Sequence, residues 1–234
     1  MRNLIIENDN LIALQELLPE YEGKIDVMPI DPPYNTDISH IGYKDSSYTE
    51  GWVGFMRPRL EVAYRLLSPT GVMFIHIDEC EFSNLWMLCS NIFGERNLIS
   101  MIWKKTNPFF DVNRKEKPLE TIVDFMGTTS SAKDELAQLL GDRTIFSTPK
   151  PVKLIKELVR AGSNKNSIVL DFFAGSGTAG HATIELNSED GGKRRFILVT
   201  NNESDICRRV TIPRMRHAMK KHNVCSDLLE VRLS

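Results

Sequence analysis

The sequence predicts an α/β domain built on a mostly parallel sheet. Two features carry this: short apolar runs alternate with longer amphipathic stretches, and two of the runs end in turn motifs of unusual composition. A chain of 234 residues, 41% hydrophobic and 26% charged, can bury a sizeable core as one domain.

Asn3–Glu7 reads as the first strand, and Asn10–Leu18 as a short helix with Leu11, Leu14, Leu17 and Leu18 on its apolar side. Ile25–Ile30 is the second strand. After a polar loop to about Glu50, Trp52–Leu67 reads as a helix with Phe55, Leu60, Ala63 and Leu67 facing a core and Pro58 within its first turns. Val72–Ile77 reads as a buried strand, Glu81–Phe93 as a helix, and Leu98–Trp103 and Thr121–Phe125 as candidate strands. Pro151–Ala161 is an amphipathic helix. Ile168–Phe172 and Phe196–Thr200 supply two more strands, with a helix through Ala179–Leu186 between them, and Asp205–Lys221 is a long basic helix. Internal repeats and low-complexity tracts are absent.

No apolar run reaches the roughly 18 residues of a membrane span, and Met1–Ile12 has Asn, Glu and Asp where a signal peptide is apolar. The expectation is a cytoplasmic protein without a membrane partner. Cys80, Cys89, Cys207 and Cys225 lack C-x-x-C spacing, which favours reduced structural thiols, and the five histidines do not cluster at ligand spacing along the chain, so no metal is expected. Net charge is −2, but cations concentrate in two places. One holds Lys104, Lys105, Arg114, Lys115 and Lys117; the other holds Lys193, Arg194, Arg195, Arg208, Arg209, Arg214, Arg216, Lys220 and Lys221. Either can meet phosphates or be a solvated face.

The second strand runs into Asp31-Pro32-Pro33-Tyr34. Consecutive prolines fix φ and stiffen the loop, so its carbonyls keep one direction. The Asp31 carboxylate and the carbonyl of Pro32 or Pro33 are two acceptors suited to the two hydrogens of an exocyclic amine, and Tyr34 offers a face for a displaced base. An ordinary strand-ending turn accounts for the same residue types. The second motif, Ser167–Thr178 (SIVLDFFAGSGT), is a strand, an acidic residue, a glycine turn and a helix start. Gly175 and Gly177 let backbone approach a ligand closely, and Thr178 is placed to cap the helix. Alone, this turn also suits dinucleotides.

Together the two motifs resemble those of adenine-specific DNA methyltransferases that use S-adenosylmethionine, in particular the β group, where DPPY precedes the glycine motif. The likeness extends to GFMRPRL at Gly54–Leu60, LLSPTGVMFIHIDE at Leu66–Glu79, IFGERN at Ile92–Asn97, PKPVKLI at Pro149–Ile155 and RFILVTNNE at Arg195–Glu203. The order is also similar to that of modification subunits of type III restriction systems. This resemblance implies a Rossmann-like methyltransferase fold, a mostly parallel seven-stranded sheet with helices on both faces, circularly permuted so that the cofactor strands come last. It implies transfer from S-adenosylmethionine to the N6 amine of a flipped-out adenine in DNA, with Asp31, Pro32, Pro33 and Tyr34 as the catalytic loop.

The same resemblance assigns Asp171, Phe172, Phe173, Gly175, Ser176, Gly177 and Thr178 to the methionine end of the cofactor and Lys150 to its carboxylate. Glu203 falls where an acidic side chain accepts ribose hydroxyls, or is a surface carboxylate. Asp9 approaches the adenine end of the cofactor or caps the following helix. Pro151 can simply start a helix, and Asp78 and Glu79 can cap one. Gly127–Leu140 resembles a framework helix of the family, which leaves about twenty residues, Lys105–Met126, as a residual target-recognition region within a single catalytic domain, 1–234. Partners are therefore DNA and either a second copy or a separate specificity or restriction subunit. Competing readings are an RNA or cytosine-N4 methyltransferase, a protein-side-chain methyltransferase, and a non-catalytic subunit.

Overall fold

A computed structural model describes residues 2–36, 51–103, 122–123, 126–225 and 229–233. Its strands are β1 (Asn3–Glu7), β2 (Ile25–Ile30), β3 (Leu67–Ile75), β4 (Ile102–Trp103), β5 (Ile122–Val123), β6 (Ile168–Asp171), β7 (Arg195–Thr200) and β8 (Leu229–Leu233). Its helices are α1 (Asn10–Tyr21), α2 (Gly51–Leu66), α3 (Phe82–Phe93), α4 (Thr129–Leu140), α5 (Val152–Gly162), α6 (Thr178–Asp190) and α7 (Ile212–Lys221). Six strands, all parallel, form one sheet in the order β3-β2-β6-β7-β1-β8.

The expected seven-stranded sheet is thus six-stranded among the described residues. Of the candidate strands at Leu98–Trp103 and Thr121–Phe125, the described residues supply β4 and β5, which pair with each other away from the main sheet. The sheet instead gains β8 beside β1. Its LEVRL alternates apolar and charged residues, the pattern of a half-exposed edge. β3 is the other edge, which is why Val72–Ile75 is half-buried rather than buried as expected.

The central strands alternate between two cores. Leu4, Ile6, Met28, Ile30, Leu170 and Val199 face α1, α2 and α3; Ile5, Val27, Val169, Phe196 and Leu198 face α5, α6 and α7. Both faces are covered, as parallel sheets require. Cys89 and Cys207 are buried, all four cysteines are free, and burial pushes the two thiols up to about 11 and about 12.

Several helices differ from expectation for local reasons. α1 runs past Leu18 to Tyr21 with Pro19 in its last turn, where its ring breaks little. Pro58 lies in the middle of α2, not its first turns; beside it, the Arg59 guanidinium donates to the Phe55 carbonyl at 2.7 Å. Thr128, not Gly127, opens α4 with a capping box to Ser131. The basic helix expected over Asp205–Lys221 begins as a short 3-10 turn and a π-helical turn before α7. No helix among the described residues is long and apolar enough to cross a membrane.

α6 lies close on the sheet because position 180 has no side chain. A Cβ there would stand 2.5 Å from the Met215 sulfur and 2.9 Å from Leu198 Cδ1. Gly180→Ala is therefore expected to destabilise the fold by about 1–3 kcal/mol in urea unfolding, despite alanine's better helix propensity.

Candidate active site

A cavity of about 950 Å³ opens at the C-terminal ends of β1, β2, β6 and β7. β2 and β6 are neighbours, and from them the chain proceeds in opposite directions, to β3 and to β7. Parallel sheets bind ligands at such a switch point. Asp9, Asp31, Pro32, Pro33, Tyr34, Lys150, Asp171, Phe172, Phe173, Gly175, Ser176, Thr178 and Glu203 all line the cavity. Gly177 lies beneath it, against Thr211 and Met215.

The Asp31–Tyr34 loop is held from behind. The buried Trp52 indole donates to the Pro33 carbonyl at 2.7 Å. Asn35, in the left-handed region at φ 56°, donates to the buried Glu81 at 2.6 Å, and Asn84 donates to the other Glu81 oxygen at 2.7 Å. Glu81 is also the residue at the N-cap of α3, while Asp78 accepts from the Cys80 amide at 3.0 Å. Of the two proline carbonyls, Pro33 is engaged; among the described residues nothing donates to Pro32.

At the cavity wall the Tyr34 hydroxyl donates to Asp31 Oδ1 at 2.7 Å, and the Lys150 ammonium donates to Oδ2. That ammonium also stands 5.2 Å from the Tyr34 ring centre. Burial pushes the Asp31 carboxyl up, but the charges of Lys150 and His76 and the bonds from Lys150 and Tyr34 outweigh it and hold Asp31 below the usual range. Asp171 goes the other way. Burial pushes it up to about 8 against one bond from the Phe173 amide, with the Asp31 charge adding to the rise and Lys150 opposing it.

The glycine turn combines two left-handed residues, Gly175 at φ 47° and Gly177 at φ 81°, conformations a side chain would strain. Gly177 is the N-cap of α6. Thr178, expected to cap, is instead the first helical residue, and its hydroxyl accepts from Arg214 Nη1 at 3.0 Å. The same nitrogen reaches Ser176 Oγ at 2.9 Å, and Thr211 donates to the Gly175 carbonyl at 2.6 Å. The loop is thus clamped from below by α7 and the turn preceding it.

Residues 25–123 and 110–210 match the DNA methylase family (N6_N4_Mtase). The chain belongs to the DNA methylase family. It is 25% identical to the Mod subunit of the type III restriction-modification enzyme StyLTI of Salmonella typhimurium over 86% of this chain and 53% of that protein. To the EcoPI Mod subunit of Escherichia phage P1 it is 24% identical, over 86% of this chain and 58% of that protein. The chain therefore spans little more than half the length of these relatives. The crystal structure of TTHA0409 from Thermus thermophilus, complexed with S-adenosyl-L-methionine, superposes with a TM-score of 0.58 at 21% identity, covering 98% of this chain and 99% of that one.

Other sequence expectations for the methylase resolve in the geometry. Asp9 is the N-cap of α1, accepting from Leu11 and Ile12 at 2.9 and 3.3 Å, and its other oxygen takes Arg59 at 3.1 Å. Arg59 also bonds Asn10, whose amide donates to the Phe172 carbonyl at 3.0 Å. Glu203 is exposed on the rim, and the next two residues, Ser204 and Asp205, are left-handed. Of the basic tail, Arg194 and Arg214 are neither solvated nor open to phosphate. Arg194 is buried against Asp190, and Arg214 is fully buried. Arg208, on the surface, is paired with Glu7 at 2.8 Å. The cations at Lys104, Lys105, Arg114, Lys115 and Lys117 lie outside the described residues, as does most of the expected recognition region.

Sequence spacing concealed one cluster: His181, Glu185 and His222 bring ligand-type atoms within 4.8 Å of one another across α6 and the end of α7. A dication is poorly served there. Arg214 Nε stands 3.4 Å from His181 Nδ1 as a donor, which leaves the His181 proton on Nε2, facing Glu185 at 3.4 Å. Glu185 is already paired with Lys156. Arg214, grouped by sequence with the basic tail, lies four residues after Val210 and four before Ala218, which puts it on the buried face of the methylase's basic helix.

The raised Asp171 has a thermodynamic consequence. Its folded value, about 8, exceeds the ordinary 3.8, so the stability it contributes is full below about pH 4 and is lost as pH rises toward 8. Asp171→Asn is expected to exceed the parent's stability at pH 8 by roughly 1–3 kcal/mol and to match it near pH 4, in thermal unfolding at the two pH values.

Proposed function

We propose that this chain transfers the methyl group of S-adenosylmethionine to the N6 amine of an adenine displaced from DNA. The observation that carries this reading is that Asp31 and the glycine turn face one cavity from adjacent strands, so acceptor and donor groups can meet without rearranging the sheet. S-adenosylmethionine, when bound, supplies a methyl group activated on a sulfonium. The cavity's residues fit it. The amides opening α6 suit its carboxylate, Asp171 and Phe173 its methionine end, Glu203 its ribose and Asp9 the purine end.

An exocyclic amine is a weak nucleophile because its lone pair is spread into the ring. Asp31, held ionised by its neighbours, accepts one N–H, and the Pro32 carbonyl accepts the other, since Pro33 is already engaged by Trp52. Tyr34, tethered through its hydroxyl to Asp31, presents its ring to the base. Lys150 stands where that amine must come, bonded to Asp31 and above the Tyr34 ring. Its backbone carbonyl accepts from the Thr178 hydroxyl at 3.4 Å, so the chain at Lys150 is fixed to the glycine turn. Swinging its ammonium from Asp31 to the carboxylate end of the cofactor frees Asp31 for the amine.

Adenine is preferred to cytosine because the loop begins with Asp31 rather than the serine more usual for cytosine-N4 enzymes of similar design. A circular permutation is supported by the strand order, in which the late strands β6 and β7 lie between the early strands β2 and β1. The single catalytic domain, with 105–126 as residual recognition region, is supported by the match to the Mod subunit of StyLTI: 344 aligned positions draw on only 86% of this chain. Much of that alignment is relative sequence without a counterpart here. Recognition is accordingly assigned to a separate specificity or restriction subunit, to a second copy, or to the shape and single-stranded character of the target.

The protein incubated with DNA and labelled S-adenosylmethionine is expected to yield N6-methyladenine by mass spectrometry of the digested DNA. Asp31→Ala is expected to lower the rate at least about a thousandfold while still binding the cofactor. Label on cytosine would redirect the reading to N4 chemistry, label on RNA or on protein would redirect the substrate class, and cofactor binding without transfer to any acceptor would favour a non-catalytic subunit.

A further inference from the structure

Arg214 is fully buried, and among the described residues no carboxylate lies within ion-pair distance of it. Burying a guanidinium unpaired is costly, so its surroundings need a compensating reason. Its Nη1 donates to Ser176 Oγ at 2.9 Å, to Thr178 Oγ1 at 3.0 Å and to the Ser176 carbonyl at 3.3 Å, and its Nε approaches His181 Nδ1 at 3.4 Å. Among the described residues Nη2 has no hydrogen-bond partner. Burial lowers its value to about 10, with Glu135 and Glu185 acting against the fall, so the group stays charged at neutral pH.

A hydroxyl has one hydrogen and two lone pairs. Because a guanidinium only donates, each hydroxyl that accepts from Arg214 must send its own hydrogen elsewhere. Thr178 sends its hydrogen to the Lys150 carbonyl at 3.4 Å. Ser176 lines the cavity, and its hydroxyl has the cavity or a long 3.4 Å approach to Thr178 Oγ1 as its outlets. The first amides of α6, at Thr178 and Ala179, also have no intrahelical acceptor. Donors therefore line the turn, with a full positive charge behind them.

We infer that Arg214 is a positioning residue for the carboxylate of the bound cofactor, fixing the Ser176 hydroxyl as a donor and charging the glycine turn from below. The inference rests on the proposed S-adenosylmethionine reading of the cavity. It separates Arg214 from a plain structural staple by the ligand group it serves. A staple lost should weaken every ligand of the cavity alike; a carboxylate device lost should weaken only ligands that carry the carboxylate.

Isothermal titration calorimetry on the full chain tests this with S-adenosylhomocysteine and its decarboxylated analogue, which keeps the purine, ribose, thioether and amine. Arg214→Met is expected to weaken S-adenosylhomocysteine at least about tenfold and the analogue by less than about twofold, with Arg214→Lys recovering part of the loss. Parallel weakening of both ligands, or no change in either, would overturn the inference and leave the cavity reading intact. Failure of the parent chain to bind S-adenosylhomocysteine would overturn the cavity reading and this inference with it. Should Arg214→Met not fold, Ser176→Ala removes the hydroxyl donor alone; a loss confined to S-adenosylhomocysteine is expected, and an unselective one overturns the proposal.

Discussion

The register between β2 and β6 is the constraint on which the site depends. Val27 pairs with Val169, and the Asp26 carboxylate receives the Ile168 amide at 2.9 Å, which pins the start of β6 to the start of β2. The two strands are more than a hundred residues apart in the chain, so no local preference aligns them. A slip of one residue would exchange the faces of Ile168, Val169 and Leu170 and turn each toward the wrong core. A slip of two would preserve burial but carry Phe172 roughly 7 Å away from its level beside Asp31. The double-sided core excludes the first error, and the Asp26 bond opposes the second.

With the two strand ends side by side, their carboxyl groups cannot behave independently. Asp31 and Asp171 repel as anions, and the site resolves this by giving Asp31 both the Lys150 cation and the Tyr34 hydroxyl while leaving Asp171 one amide in a buried place. One carboxylate is then ionised and the other neutral at neutral pH, so the junction carries Asp31 and Lys150 as a balanced pair. That balance explains how two acids fit in a cavity wall without an outside counter-ion. It also means that moving Lys150 changes the charge felt by both acids at once, which links the two halves of the cavity, proposed for donor and acceptor, electrostatically as well as sterically.

What the sequence revealed and what it hid divide along the same line. The Asp31–Tyr34 loop and the Gly175–Gly177 turn were legible because their demands are local: prolines fix φ, glycines accept positive φ, and each follows an apolar strand. The partners that make those segments rigid were not, since Trp52, Glu81, Thr211 and Arg214 reach them by hydrogen bonds from elements distant in the chain. Thr178 shows the difference within one residue. Its type and place suit a cap, but Gly177 takes that role, and the hydroxyl serves the buried guanidinium instead. β4 and β5 are extended, as their composition predicts, yet they stand apart from the main sheet, because periodicity reports which faces are buried and not which strand is the neighbour.

Net charge is equally uninformative until its parts are located. Arg59, Arg194 and Arg208 neutralise Asp9, Asp190 and Glu7, and Arg214 is buried under the glycine turn. These cations maintain the fold and the cavity, so they cannot also be counted toward a phosphate-binding surface. Methyl transfer tolerates little positional error, and the groups proposed for it sit at the ends of neighbouring central strands, where the sheet fixes their spacing. Reading a DNA sequence demands reach into a groove, which a sheet end does not supply. Chemistry and recognition therefore place opposite mechanical demands on the chain, and a fold that satisfies the first on its sheet must obtain the second from segments or partners outside it.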